Sequence, residues 1–410
     1  MKHITINGDR LWQSLMTMAK IGATEKGGCC RLTLTDLDKE ARDLFVQWCE
    51  EAGCTVTVDQ VGNIFARRPG RHNDLPPIMT GSHLDTQPTG GKFDGVFGVL
   101  AGLEVLRTLQ DHNVETKAPV EVSVWTNEEG SRFAPAMMGS GVVAGRFTLE
   151  EILAKTDIDG KLFGEELKRI GYAGELPARQ RPIGAFFEAH IEQGPYLEAE
   201  KKTIGVVNKG QGQRWYDVTI TGRESHAGTT PMPLRHDALA AAARLINQVE
   251  RIANTNQPHA CGTVGFLQVH PNSRNTIPGQ VTMSVDLRHP DDTILSKMDR
   301  ELKVFCEHLP AEVNVEVKLE PIWYYAPVIF SEQCINAVRE GARTHGYSHM
   351  DIFAGAGHDA CYIADFAPAS MIFIPCENGI SHNEIENAEA ADIIAGCNVL
   401  LSAMLERANA

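Results

Sequence analysis

The sequence predicts an α/β fold with a second, smaller βαββαβ unit inserted into it. Three observations carry the prediction. The apolar stretches "PPIMTGSH" and "PVEVSVWTNEEG" read as buried strands with a helix, "VFGVLAGLEVLRTLQ", between them. Strand, helix, strand in that order marks a sheet covered by helices, whose ligands gather beyond the carboxyl ends of the strands. From Arg214 the pattern becomes strand, helix, two strands, helix, strand, the order of a ferredoxin-like unit. After about residue 328 the α/β character returns, with "SMIFIP" as a buried strand and a closing helix from about 388. The expected division is therefore residues 1–212 with 329–410 as one domain and 213–328 as the other.

Each element has a local reason. Leu37, Ala41, Leu44, Phe45 and Trp48 recur at helical spacing, with Thr35 or Asp36 to cap the start and Gly53 to end the helix. "VTVDQVGNIFAR" predicts two short strands around a turn at Gly62-Asn63. Small residues in "VFGVLAGLEVLRTLQ" let that helix approach a sheet closely. In the insert, "RWYDVTIT", "CGTVGFLQV", "QVTMSVDLR" and "VNVEVKL" read as strands, and residues 236–253 and 291–309 as helices.

Composition narrows the class. A chain of 410 residues can bury a sizeable core, and 43% hydrophobic with 22% charged residues is ordinary for a soluble globular protein. A net charge of −15 argues against nucleic acid or an anionic membrane as partner, since both demand a basic surface. The N-terminal stretch has no long apolar run, so neither a signal peptide nor a membrane span is expected. Ten cysteines without a CxxC pattern suit a reduced, cytoplasmic protein and argue against a zinc–thiolate site. Any metal must then be held by His, Asp and Glu.

Four polar clusters follow apolar strands or open helices at one edge of the predicted sheet. "GSHLDTQPTGGKFDG" carries His83, Asp85 and Asp94 in a stretch too rich in glycine for regular structure. Asp85, two residues on from His83, could accept that ring's N–H or stand behind it. The second cluster is Asn127-Glu128-Glu129, adjacent carboxylates that a cation or a shared proton would explain. "FFEAHIEQGPYLE" supplies His190 and Glu192, and "IPCENGISHNE" supplies His382. Any one of these residues alone has an ordinary structural reading; their common position makes the case. Imidazole nitrogens with carboxylate oxygens suit zinc, manganese, cobalt or nickel.

Taken together, "GSHLDTQPTGGKFDG", "NEEGSRFAPAMMGS", "HIEQGP", "SHAGTTPM", "GAGHDA" and "GISHNE" resemble the motifs of the dinuclear metal amidohydrolases related to the M20 peptidases. More narrowly they resemble the branch of N-carbamoyl-L-amino acid amidohydrolases, β-ureidopropionases and allantoate amidohydrolases. The resemblance runs from Arg31 to His382. It implies two divalent metal ions per subunit, one held by His83, Asp94 and His190, the other by Asp94, Glu129 and His382. Asp94 would bridge them, followed by a cis peptide bond to Gly95. It implies Glu128 as general base and His226 as a second catalytic group. Gln193 and His226 would contact the carbamoyl group, Asn275 and Arg288 the substrate carboxylate, and Gly357 and His358 would line the pocket. The insert would be a lid and a homodimer contact. The implied reaction is hydrolysis of an N-carbamoyl-L-amino acid. The alternatives are N-carbamoyl-β-alanine or allantoate as substrate, or an M20 dipeptidase or aminoacylase. A non-catalytic binding protein is disfavoured because no position of the ligand set, nor Glu128, is missing.

Overall fold

Every residue is buried in four strands, Ile78–His83, Val120–Trp125, Ala185–Ile191 and Ala369–Ile374. They pair side by side and in parallel, in the order Val120–Trp125, Ile78–His83, Ala185–Ile191, Ala369–Ile374. Strands covered on both faces have no wet side, which is why they read as unbroken apolar runs. Helices Val96–Asp111 and Ala390–Asn409 pack on this sheet, both apolar around most of their circumference. The computed structural model describes residues 4–410.

The sheet is mixed, because antiparallel strands extend it at both sides. Ile64–Arg68 lies against Val120–Trp125 and forms a hairpin with Thr55–Val58 through the expected turn. Ile204–Gly210 lies antiparallel to Ala369–Ile374. Ahead of the hairpin, helix Asp36–Glu51 is capped by Thr35, whose side chain accepts the Asp38 N–H.

The chain divides into two compact units, Met1–Asn208 with Ile329–Ala410, and Lys209–Val328. The second contains an antiparallel sheet ordered Leu267–His270, Gln280–His289, Gly212–Thr221, Glu316–Tyr325. Helices Ala238–Thr255 and Asp292–Val313 pack on it. Tyr216, Val218, Ile220, Leu245, Val249, Met298 and Leu302 form part of its core. Gln280–His289 alternates between buried and partly exposed residues, the mark of a sheet with one covered face. The run "CGTVGFLQV" is not one strand but two, Cys261–Thr263 and Leu267–His270. Between them the Phe266 N–H bonds the Ser284 hydroxyl, while the Ser284 N–H bonds the Phe266 carbonyl, so a side chain interrupts the ladder. Among the described residues no helix is long and apolar enough to cross a membrane.

Candidate metal centre

Parallel pairing sets the carboxyl ends of the four central strands along one edge. His83 is the last residue of its strand, and its Nδ1 lies 2.8 Å from the backbone oxygen of Asp85. That carbonyl can only accept, so the proton sits on Nδ1 and the Nε2 lone pair is left for a ligand. His190 is arranged alike: Nδ1 meets the Ile191 carbonyl at 2.9 Å, and Nε2 accepts the Gly95 N–H at 3.1 Å. Both Nε2 atoms face one oxygen of Asp94, His83 at 3.5 Å and His190 at 3.2 Å from Oδ1. The other oxygen, Oδ2, lies 3.4 Å from His382 Nε2, which is also 3.4 Å from Glu129 Oε2.

Two donor groups result, His83–Asp94–His190 and Asp94–Glu129–His382, with the donor atoms in each within 4.8 Å of one another. Asp94 is common to both and offers a different oxygen to each. Glu128 lies beside the first, Oε2 at 3.4 Å from His83 Nε2. Glu188, His190 and His358 form a third such group, which shares His190 with the first.

The turn that presents Asp94 corrects one expectation. Asp94–Gly95 is not a cis peptide; the cis bonds among the described residues all precede proline. Gly95 instead adopts φ 67°, ψ −48°, and the Val96 N–H bonds the Asp94 carbonyl at 2.7 Å, closing a γ-turn. A side chain rarely adopts this conformation, and here it has no room: a Cβ on Gly95 would lie 2.5 Å from His83 Cδ2. The sharp change of direction that a cis bond would supply comes from the glycine dihedral. Three non-glycine residues at the same edge, Asn127, Gln193 and His382, also have positive φ, a concentration of backbone strain beside the donor atoms.

Electrostatics point the same way. Burial would raise the Asp94 carboxyl, but His190 and His83 outweigh it and hold Asp94 well below the usual carboxylate range. Burial pushes Glu128 well above its ordinary value, with Asp359, Glu129 and Asp85 adding to the effect. Burial and the charge of Asp94 push Glu129 up to about 8. Burial disfavours a charged His83 ring, yet Glu128, Asp94 and Asp85 together raise its pKa well above 6.5. Such a surplus of buried carboxylate facing the Nε2 side of two imidazoles whose Nδ1 is held by a carbonyl fits divalent cations.

Asp85 orients His83 as foreseen, but through its backbone oxygen and not its carboxylate. Its carboxylate is 3.9 Å from His83 Nδ1, too far for a hydrogen bond, and accepts the backbone N–H groups of Glu128 and Glu129 at 3.3 and 3.2 Å. It therefore anchors the acidic pair, while its own backbone oxygen orients the histidine. Glu192 caps the turn Tyr196–Ala199, accepting the N–H groups of Tyr196 and Leu197. Gln193 donates through Nε2 to Asp94 Oδ2 at 2.8 Å. His358 is buried with its ring 4.5 Å from that of His190, and Gly357 lies against Met137.

His226, Asn275 and Arg288 belong to the second unit. His226 is exposed; its Nδ1 accepts the N–H groups of Gly228 and Thr229, which leaves Nε2 for a donor role. The Asn275 carbonyl accepts the Ala227 N–H, so these two loops are pinned together. Arg288 forks onto Asp286 of its own strand, with Nη2 2.8 Å from Oδ2.

Several residues that hold the donor set carried no chemical signal in the sequence. Gln87 donates to Glu129 Oε2 at 2.7 Å, and Ser381 Oγ lies 3.0 Å from Asp94 Oδ2. Glu188 accepts Ser82 Oγ and the Ala360 N–H, and Asp359 accepts Ser140 Oγ. Glu188 could have been singled out, since a charged residue within the apolar run of "AFFEAHI" must find partners.

A family model, Peptidase family M20/M25/M40, matches residues 79–406. The chain belongs to this family. It is 51% identical to an N-carbamoyl-L-amino-acid amidohydrolase of Rhizobium meliloti, covering 98% of this chain and 97% of that one. An allantoate amidohydrolase of Escherichia coli K12 is 32% identical, covering 95% of each. The crystal structure of an amidase of the hydantoinase/carbamoylase family from Burkholderia multivorans superposes with a TM-score of 0.94 at 61% identity, covering 99% of this chain and 98% of that one.

Proposed function

We propose that this M20-family protein hydrolyses the ureido C–N bond of N-carbamoyl-L-amino acids, releasing the amino acid, ammonia and carbon dioxide. The observation that carries the reading is the pair of donor groups sharing Asp94, with the Glu128 carboxylate beside His83. His83, Asp94 and His190 would hold one divalent cation, and Asp94, Glu129 and His382 a second, from among zinc, manganese, cobalt and nickel. When bound, the cations act as Lewis acids toward the substrate carbonyl and lower the pKa of water. Glu128 takes a proton from the attacking water and returns it to the departing nitrogen. Its burial keeps bulk water from competing for that proton.

Residues 213–328 act, in this reading, as a ferredoxin-like lid and as the contact in a homodimer, whose loss of activity on dilution to monomer would test the assignment. Arg288 and the Asn275 side chain read the substrate carboxylate. His226 and Gln193 address the carbamoyl oxygen, and Gly357 and His358 shape the wall beside His190.

The identity to the Rhizobium relative, 51% against 32% for the allantoate enzyme, favours the carbamoyl amino acid as substrate. Ammonia release from N-carbamoyl-L-methionine, N-carbamoyl-β-alanine and allantoate, assayed side by side with added manganese, tests this. The first is expected to be fastest. Preference for either of the others would reassign the substrate, and a dipeptide cleaved faster than all three would overturn the reaction class.

A further inference from the structure

His83 and His190 are strand-borne, with side chains 1% exposed, whereas His382 lies on a loop, 51% exposed and at φ 53°. No strand fixes its ring, so something else must hold the His382 loop against the loop that carries Asp94. The buried residue between these loops is Glu386, 1% exposed. Its Oε1 accepts the backbone N–H groups of Phe93 and Asp94, both at 3.1 Å, and its Oε2 lies 3.0 Å from Ser381 Oγ. Ser381 Oγ is in turn 3.0 Å from Asp94 Oδ2, the oxygen that faces His382. On the other side, the Glu386 N–H bonds the Asn383 carbonyl at 3.0 Å, so a short closed turn separates the carboxylate from His382.

The fit leaves no slack. A Cβ on Gly91 would lie 2.5 Å from Glu386 Cβ and closer still to its carboxyl. A buried carboxylate next to the carboxylate of Asp94 is a costly way to fill space, since burial without compensation disfavours charge. An apolar side chain would fill the same volume but could not accept three hydrogen bonds.

We propose that Glu386 is a positioning residue: it ties the Asp94 loop to the His382 loop and so sets the geometry of the cation site formed by Asp94, Glu129 and His382. This rests on the two-cation reading above. The other site shares Asp94, but its two histidines are set by strand ends and do not depend on this tether.

The proposal separates geometry from charge. Glu386→Gln loses the charge but keeps the reach: its carbonyl accepts both N–H groups and its amide donates to Ser381 Oγ. Glu386→Asp keeps the charge but falls about 1.5 Å short, one C–C bond. Manganese is titrated calorimetrically into the chelated full-length protein. Wild type is expected to bind two ions. Glu386→Ala and Glu386→Asp should each weaken one site by about tenfold or more, the scale on which outer partners of ligands act. The other site should stay within about threefold, and Glu386→Gln should stay near wild type at both. Should Glu386→Ala not fold, the Asp and Gln variants carry the decision. Weak binding by Gln with normal binding by Asp would make the role electrostatic and overturn the proposal. Equal weakening of both sites, or of neither, would also overturn it. Wild type binding fewer than two ions would remove the two-cation reading itself, a result seen before any variant is compared.

Discussion

Replacing Gly95 by alanine tests the geometry on which the bridging role of Asp94 depends. The substitution has two separable costs. The first is backbone strain, since φ 67°, ψ −48° suits a side chain poorly and costs roughly 1–3 kcal/mol. The second is a collision: the new methyl would lie 2.5 Å from His83 Cδ2. Ordinary carbon contacts begin near 3.5 Å, so the ring or the turn must move by about 1 Å. Metal–ligand distances tolerate only about 0.2 Å. His83 should therefore be lost as a ligand, with affinity for the ion it shares with His190 falling roughly 10²-fold or more, or about 2.7 kcal/mol. Gly346→Ala supplies the control, because Gly346 has φ 69° with nothing within 4 Å of its would-be Cβ. It should show the backbone cost alone. The assays are thermal unfolding, metal content after dialysis, and kcat. Both variants should unfold earlier, and only Gly95→Ala should lose metal and activity. Gly95→Ala with wild-type metal content and a kcat within twofold would refute the reasoning.

Glu128→Gln preserves size but removes the base, so kcat should fall roughly 10²-fold or more while metal content is unchanged; near wild-type turnover would assign the proton transfer to another group. Metal binding should release protons, because the carboxylates around His83 raise its pKa in the metal-free protein and a protonated ring cannot ligate. Apparent affinity should then rise with pH up to that raised pKa and weaken as pH falls; calorimetry in two buffers of different ionisation enthalpy, showing no proton release at neutral pH, would contradict this. Arg288→Lys should lower kcat/KM about tenfold or more, since lysine cannot reproduce the two parallel hydrogen bonds of a guanidinium fork. An amide analogue of the substrate should lose much less, and equal losses would mean that Arg288 shapes its strand without reading the carboxylate.

Much of the architecture was legible because burial leaves a local signature. The fully buried strands Ile78–His83 and Val120–Trp125 and the helix between them follow from unbroken apolar runs bounded by turn residues. The sequence also set His83, Glu128 and His382 just beyond apolar strands, which marks one sheet edge without stating any distance. Several elements escaped, among them helices Gly8–Met18 and Glu332–Thr344 and the strands Ile204–Gly210 and His349–Ala354 at the side of the sheet, where mixed polarity weakens the pattern.

What only the tertiary structure decided concerns partners far apart in the chain. Composition and spacing show that Asp85 and His83 are near neighbours, but not that the backbone oxygen, rather than the carboxylate, orients the ring. Nor could they show that the Asp94 turn is a γ-turn, because a dihedral choice at glycine leaves no trace in residue type. Glu386 is the extreme case. Nothing in its residue type marks it, and its partners at Phe93 and Asp94 lie nearly three hundred positions earlier. A hydrogen bond has no sequence periodicity when its two ends belong to different loops; the sheet had to form before the two could meet.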